Sequence, residues 1–233
     1  MNLILKFAIV ALLVPVSESR WWGWGQGDNG GGGNGGGHNN GGGHHNGGGN
    51  GGNGGGGNGC GIALGTGTLD EEERSTIIFM REEEKFSRDV YLTLAALYDR
   101  PVFFNIARSE QHHMDQMEDL INAYNLDDPV LDESTGVFQN GNLQTLYITL
   151  VARGRESLLE ALEVGALIEE MDIDDLNKAI QDSDQSDLDT VYGCLRRASY
   201  NHLRAFVRNV ESLGVTYTAQ HLSQPDVDAI LNN

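Results

Sequence analysis

Apolar residues recur every three to four positions from about Thr68 to Leu213 of this 233-residue chain. This spacing places them along one face of a helix, whereas a half-buried strand alternates apolar and polar residues. No convincing strand pattern appears in the sequence. The period therefore predicts an all-α domain, a bundle of four main helices with one or two short extra helices.

Capping and helix-breaking residues set the predicted boundaries. Thr68-Leu-Asp-Glu71 resembles a capping box and predicts a first helix that runs to about Tyr98. Arg100-Pro101 breaks this helix, and a second one is predicted to begin near Val102. Further helices are predicted at about 142–153, 156–171 and 188–213, with a short helix and a turn at 172–184.

The first residues predict export. Residues 2–14 form an apolar run with one lysine, and the small residues Ser17 and Ser19 follow at a spacing that signal peptidase accepts. The run is short for a membrane span. We therefore expect a signal peptide over residues 1–19 and a secreted, extracellular protein. A signal anchor that stays in the membrane is the alternative.

Residues 20–67 are predicted to be disordered, because glycine, asparagine and histidine dominate them and cannot bury enough apolar surface to offset chain entropy. Three tryptophans near their start suggest a contact surface, with a short collapsed cluster as the alternative. The predicted organisation is a signal peptide at 1–19, a disordered segment at 20–67, a helical domain at 68–213 and a C-terminal tail at 214–233.

The formal net charge of −19 lies almost entirely in the helical part. Such a surface argues against nucleic acid and anionic membranes as partners and favours cations. The two cysteines, Cys60 and Cys194, form no Cys-x-x-Cys motif, which excludes rubredoxin-type iron and structural zinc. Their pairing, within one chain or between chains, stays open.

Polar residues interrupt apolar stripes that otherwise face a core. Burying a lone carboxylate costs several kcal/mol unless it is paired or binds a metal. Singly, each has an ordinary alternative: Glu84 could pair with Arg88 at a solvent edge, and His202 could be a satisfied core histidine. As a set they are more specific, in the chain order Glu, Glu-x-x-His, Glu, x-x-x-His: Glu84, Glu110, His113, Glu169 and His202.

This order is the ligand order of a di-metal helical bundle with one position altered. Imidazole and carboxylate ligands together suit iron, manganese or zinc, so the sequence predicts one or two such ions. Tyr91 lies two turns beyond Glu84 on the same face and is expected close to the site.

Four segments carry a resemblance to a known superfamily: MREEEKFSRDVYLTLAAL, NIARSEQHHMDQM, EVGALIEEMDIDDL and SYNHLRAFVRNV. Over about Leu69–Leu213 the chain resembles a ferritin-like domain. It is similar, more closely, to a secreted or bacterial family of that superfamily whose role is unassigned. The resemblance implies a ferritin-like four-helix bundle.

The resemblance also implies a ligand set. Glu84 would be the first-helix ligand, Glu110 and His113 the second-helix pair, and His202 the last-helix ligand. Glu169 would be the third-element ligand, with neighbouring Glu170 as the alternative one residue on.

The chain departs from the superfamily pattern at one position. Ser199 stands where ferritins and rubrerythrins carry a glutamate that helps to hold both metals. A single ion, a weaker pair or a site that has lost its metal therefore stay open. Glu163 is a candidate to replace the missing carboxylate.

Two functional hypotheses follow. The first is a secreted ferritin-like protein that binds iron or a similar ion, with ferroxidase or peroxide-consuming activity if the missing carboxylate is replaced. The second is a non-enzymatic protein of an extracellular or shell mineral matrix, whose glycine-rich segment and acidic domain act as interaction elements. The expected partners are metal ions and, under the second hypothesis, matrix or mineral.

Overall fold

The computed structural model describes residues 63–65 and 67–233. The predicted signal peptide, Cys60 and all of the predicted disordered segment except residues 63–65 and 67 lie outside these residues, so export and the matrix contact stay predictions. Among the described residues six helices form and no strand does, which confirms the all-helical prediction. The helices are α1 (Glu71–Ala95), α2 (Pro101–Ala123), α3 (Gly141–Gly154), α4 (Leu158–Asp182), α5 (Ser186–Ser212) and α6 (Gln224–Leu231).

Four long helices pack in pairs. α1 lies along α2, and α4 lies along α5. The pairs meet where α1 contacts α4 and α2 contacts α5. The short α3, in the connection between α2 and α4, packs on α1 and α4, and α6 packs on α5. None of the helices in the described part of the chain is both long and apolar enough to cross a bilayer.

Local capping explains where the helices begin. Asp70 caps α1, and the Glu73 side chain accepts from the Asp70 backbone N–H to complete a capping box. This box lies two residues beyond the predicted one. Pro101 opens α2, where its missing N–H has no partner to lose. Ser157 caps α4 through the backbone N–H of Glu160.

Two boundaries differ from the predictions. α4 continues through residues 172–182, where a short helix and a turn were predicted. No glycine or proline interrupts that stretch, and Ile173 and Leu176 continue the buried face, so its aspartates do not end the helix. In addition, the segment 214–233, which we predicted as a tail, contains α6.

The apolar core forms two clusters along the bundle. One gathers Tyr91, Phe103 and Phe206 with their neighbours, and the other gathers residues such as Met117 and Leu195. On α1, α2 and α5 the predicted polar positions fall between residues of the two clusters, and Glu169 on α4 faces His202 on α5. The polar residues therefore form one layer across the bundle.

A glycine allows α4 and α5 to approach closely above this layer. A Cβ at Gly165 would overlap ring atoms of Phe206. The Phe206 ring packs against Tyr91, with ring centroids 5.1 Å apart. A glycine inside a helix costs roughly 1 kcal/mol relative to alanine, so the close packing offsets a local penalty.

Helix α1 is buried on all sides between Met80 and Tyr91, although most of these residues are charged. Its outer face holds the 128–140 loop through well-satisfied ion pairs. Lys85 donates to Asp89 at 2.6 Å and to the carbonyl of Ser134 at 2.9 Å. Arg88 pairs with Asp89 rather than with Glu84. Glu84 is thus left free of a cationic neighbour on its own helix.

Candidate metal centre

The structure brings five of the six predicted site residues together in the polar layer. α1 supplies Glu84, α2 supplies Glu110 and His113, α4 supplies Glu169, and α5 supplies His202. All five are buried. They form two triads in which one ligand atom from each residue lies within 4.8 Å of the others: Glu84, Glu110 and His113 in the first triad, and Glu110, Glu169 and His202 in the second.

Glu110 belongs to both triads. Its Oε2 atom lies 2.7 Å from His113 Nδ1, and its Oε1 atom lies 2.9 Å from His202 Nδ1. His113 Nδ1 also lies 3.2 Å from Glu84 Oε2. His202 Nδ1 lies 3.3 Å from Glu169 Oε2. Each triad therefore contains one imidazole, one carboxylate that belongs to that triad alone, and one oxygen of the Glu110 carboxylate that both triads share.

Several of these atoms approach each other without hydrogen bonding. Glu110 Oε1 and His202 Nδ1 are 2.9 Å apart, yet neither has a hydrogen-bond partner of acceptable geometry. Glu84 Oε1 is also buried without a partner. Unpartnered buried polar atoms are rare and costly. Lone pairs that converge on a common point, rather than on each other, fit a bound cation.

The second nitrogen of His202 is held from outside the cluster. Nε2 lies 3.0 Å from the Ser109 hydroxyl, one helix away on α2. When Nε2–H donates to this hydroxyl, the Nδ1 lone pair is directed at Glu110 and Glu169. Metal-binding histidines commonly donate their other N–H in this way. The two histidine rings stack, with centroids 5.6 Å apart.

Charge within the cluster is balanced by protons. Burial raises the pKa of Glu84 to about 7, although the charge of His113 opposes the shift. Burial favours neutral imidazole, but the charges of Glu110 and Glu169 raise the pKa of His202 to about 10. The pKa of His113 is likewise raised well above its usual range. Burial disfavours the Glu110 carboxylate, yet the two charged rings hold its pKa below the usual range.

Tyr91 lies beside the cluster, as its spacing from Glu84 predicts. Its hydroxyl donates to Glu169 Oε1 at 2.6 Å and lies 3.4 Å from the Gly165 carbonyl oxygen. Burial and the charge of Glu169 raise the tyrosine pKa well above its usual range. Tyr91 therefore stays protonated and fixes one oxygen of Glu169, while the other oxygen faces His202.

The structure does not bring Glu170 or Glu163 to this cluster. Glu170 accepts hydrogen bonds from the hydroxyl of Tyr217 and from the backbone N–H groups of residues 220–222. Glu163 pairs with Arg153 at 3.1 Å. Helical phase separates Glu170 from Glu169 by one residue and about 100° of rotation. Neither residue replaces the carboxylate missing at position 199.

The sequence reasoning missed a further buried carboxylate, Asp172. Its Oδ2 atom accepts from the Ser199 hydroxyl at 2.5 Å, and its Oδ1 atom has no partner. The sequence did contain a signal, because Glu169 and Asp172 repeat the three-residue spacing of Glu110 and His113. The predicted helix end at residue 171 concealed this signal.

Comparison with known proteins places the domain in a family. A family model described as an uncharacterized protein domain, DUF2202, matches residues 73–233. The chain belongs to this family. The match begins at the capping box of α1 and includes the cluster, the crossover through α3 and the C-terminal helix. The DUF2202 match thus covers all six helices except the first two residues of α1.

One relative of the DUF2202 domain has both a sequence and a solved structure. "Uncharacterized protein MJ0754" of Methanocaldococcus jannaschii is 46% identical over 165 residues, which cover 71% of this chain and 89% of that protein. The crystal structure of the hypothetical protein MJ0754 from Methanococcus jannaschii is similar with a TM-score of 0.72 at 45% identity. It covers 74% of this chain and 98% of the crystallised one.

Proposed function

We propose that this domain is a metal-binding protein that holds two transition-metal ions in a ferritin-like bundle formed by α1, α2, α4 and α5. One observation carries the proposal: the two oxygens of the Glu110 carboxylate face two different histidines in two different triads. A carboxylate in this position would bridge two ions. A structural ion pair needs only one histidine and leaves no lone pair unused.

The donor set supports first-row transition metals. Each triad offers two carboxylate oxygens and one imidazole nitrogen, a mixture that suits iron, manganese or zinc better than calcium or magnesium. Among the described residues no sulfur ligand belongs to either triad. Bound iron would supply one-electron redox chemistry, which makes ferroxidase or peroxide-consuming activity the reaction class to assay.

The surrounding chain supports a bound metal in three ways. Ser109 holds the outer nitrogen of His202, Tyr91 holds the outer oxygen of Glu169, and apolar clusters lie on both sides of the layer. Outer-shell partners of this kind orient metal ligands, and an apolar surround limits water access. The helix pairing, with one long crossover through α3, supports a ferritin-like arrangement.

Metal content of the full chain tests this proposal. After loading with Fe(II) under anaerobic conditions and removal of free metal, we expect about two ions per wild-type chain by metal mass spectrometry. Glu110→Gln removes the shared charge and should leave less than about one tenth of this content. Chelation should lower the melting temperature of the wild type by about 5–10 °C, since ligand at 100 times Kd stabilises by about 2.7 kcal/mol.

The control is Asp89→Asn, which changes a buried carboxylate on α1 that faces Lys85 rather than the cluster. It should keep its two ions even if it lowers stability. A wild-type chain that folds but retains neither Fe(II), Mn(II) nor Zn(II) would overturn the proposal. Equal metal content in wild type and Glu110→Gln would overturn it as well.

A further inference from the structure

Ser199 occupies the position from which α5 would supply a second bridging carboxylate. It lies three residues before His202, on the same helical face, and its side chain is fully buried. A serine hydroxyl is too short to span the space that a glutamate fills. Its hydroxyl group instead donates to Oδ2 of Asp172 on the facing helix α4, at 2.5 Å.

Asp172 enters the same space from the opposite side. It lies three residues after Glu169, so the two carboxylates share one face of α4. It is buried, and its Oδ1 atom has no hydrogen-bond partner. After burial itself, the largest influences on its pKa are the negative charges of Glu84 and Glu169, which shift it well upward. Asp172 therefore lies on the face of α4 that carries Glu169, is hydrogen-bonded to the face of α5 that carries His202, and has one oxygen uncommitted.

The next acidic residue on this face is differently placed. Asp175 is half-buried, and after burial the largest influences on its pKa come from Glu83, Asp174, His221 and Lys178. None of these belongs to either triad. Asp175 therefore provides a matched comparison one turn further along α4.

Charge balance gives Asp172 a role. Di-metal carboxylate bundles combine four carboxylates with two histidines. The triads alone contain three carboxylates and two histidines. Two divalent ions with three carboxylates would leave a net positive charge in a buried layer, which is expensive in a low-dielectric interior. A fourth carboxylate makes the layer neutral.

We propose that Asp172 is the fourth carboxylate ligand of the centre and supplies from α4 what Ser199 lacks on α5. Ser199 holds one Asp172 oxygen by its hydroxyl, and the other oxygen binds metal. The inference rests on the proposed function, since it needs ions in the triads. The fourth carboxylate thus comes from α4 instead of α5, and the centre still has four carboxylates and two histidines.

Co(II) titration of the full chain, followed by visible absorption and metal content, tests the inference. We expect two ions for the wild type and one, or a second ion bound at least 100-fold more weakly, for Asp172→Asn. The double variant Asp172→Ser with Ser199→Glu returns the carboxylate to α5 and should regain two ions. Ser199→Ala should weaken the second ion by about tenfold, since it removes only an orienting hydrogen bond.

Asp175→Asn is the control and should bind two ions like the wild type. Circular dichroism and melting curves of each metal-free variant separate loss of a ligand from loss of the fold. Two ions with wild-type affinity and an unchanged Co(II) spectrum in Asp172→Asn would overturn the inference while the proposed function stands. A wild type without ions would remove the proposed function itself. If the double variant does not fold, Asp172→Asn and Ser199→Ala decide the question.

Discussion

The adjacent residues Glu169 and Glu170 on α4 are both buried, but they differ in their hydrogen-bond partners. Glu170 accepts hydrogen bonds from Tyr217 and from three successive backbone N–H groups, those of residues 220–222. Glu169 receives one hydroxyl, from Tyr91, and otherwise faces His202 at 3.3 Å. Glu170 thus has a full set of hydrogen-bond donors, whereas Glu169 shares the His202 imidazole with Glu110.

The difference separates a structural carboxylate from one that is available to a ligand. Backbone N–H groups are fixed dipoles that cost little to keep oriented, so their hydrogen bonds stabilise the Glu170 carboxylate and anchor the C-terminal segment. Glu169 instead faces His202, whose raised pKa favours a bound proton in the empty centre, and a cation can displace that proton. Burial alone therefore does not identify a binding residue. The decisive property is the number of fixed donors.

The largest expected difference is between the glutamine variants at these two positions, in metal content and in stability. Glu169→Gln should abolish metal binding at the second triad, with little change in the stability of the metal-free protein, because its amide oxygen can still accept from Tyr91. Glu170→Gln should keep both ions but lower the free energy of unfolding by about 3 kcal/mol, since its NH₂ group would face N–H donors. Metal content and urea unfolding of the metal-free forms measure the two effects.

The two variants serve as controls for each other, because they make the same chemical change at neighbouring buried positions. The comparison fails if Glu170→Gln loses metal to the same extent as Glu169→Gln. It also fails if the two metal-free variants are equally destabilised.

The next largest expected effect is that of pH, because protons and metal compete for His202. Raising the pH should lower the stability of the metal-free protein but raise its affinity for metal. The His202 pKa of about 10 lies above the unfolded value of about 6.5. The stability it contributes to the empty protein is present below pH 6.5 and is lost as pH rises toward 10. Metal must displace this proton, so affinity should rise between pH 7 and 9, about tenfold per unit for each proton released.

Calorimetric titration with Zn(II) in two buffers of different ionisation enthalpy counts the released protons at pH 7. We expect at least one per chain, because the pKa values of both histidines are raised. Zero released protons would show that the imidazoles are neutral in the empty centre. The same result would contradict the proposal that a displaceable proton distinguishes Glu169 from Glu170.

The smallest expected effect concerns the outer support of His202. Ser109→Ala removes the hydroxyl that lies 3.0 Å from Nε2. The ligands themselves stay in place, so we expect both ions to bind, with the affinity of the second triad reduced by about tenfold. Ser75→Ala on the exposed face of α1 is the control and should leave the affinity unchanged. A Co(II) titration resolves a change of this size.

The helical period predicts much of this centre from sequence, because ligands and core residues share the same stripes. Glu84, Glu110 and His202 each interrupt a stripe, and their phase is sufficient to bring them together. Phase also explains the alternative at Glu170, since an error of one residue turns a side chain by about 100°. Only the contacts with residues 217–222 show what Glu170 does.

Other features depend on contacts between distant parts of the chain. Lys85 and Asp89 are buried because the 128–140 loop covers the outer face of α1, and no local pattern indicates that cover. Asp172 was missed for a different reason: its run of aspartates suggested a turn, whereas burial of Ile173 and Leu176 continues the helix. Tertiary packing there outweighs local preference.

The close contact between Gly165 and Phe206 has a consequence for the size of ion that the proposed centre would accept. Glu169 lies one turn beyond Gly165 on α4, and His202 lies one turn before Phe206 on α5. The separation of the two helices at the glycine thus sets the span between a carboxylate and an imidazole of the same triad. Metal–ligand distances differ between ions by only a few tenths of an ångström. In the proposed centre, Gly165 would therefore influence which ionic radius fits although it is not a metal ligand, and one added methyl group at this position would change that preference.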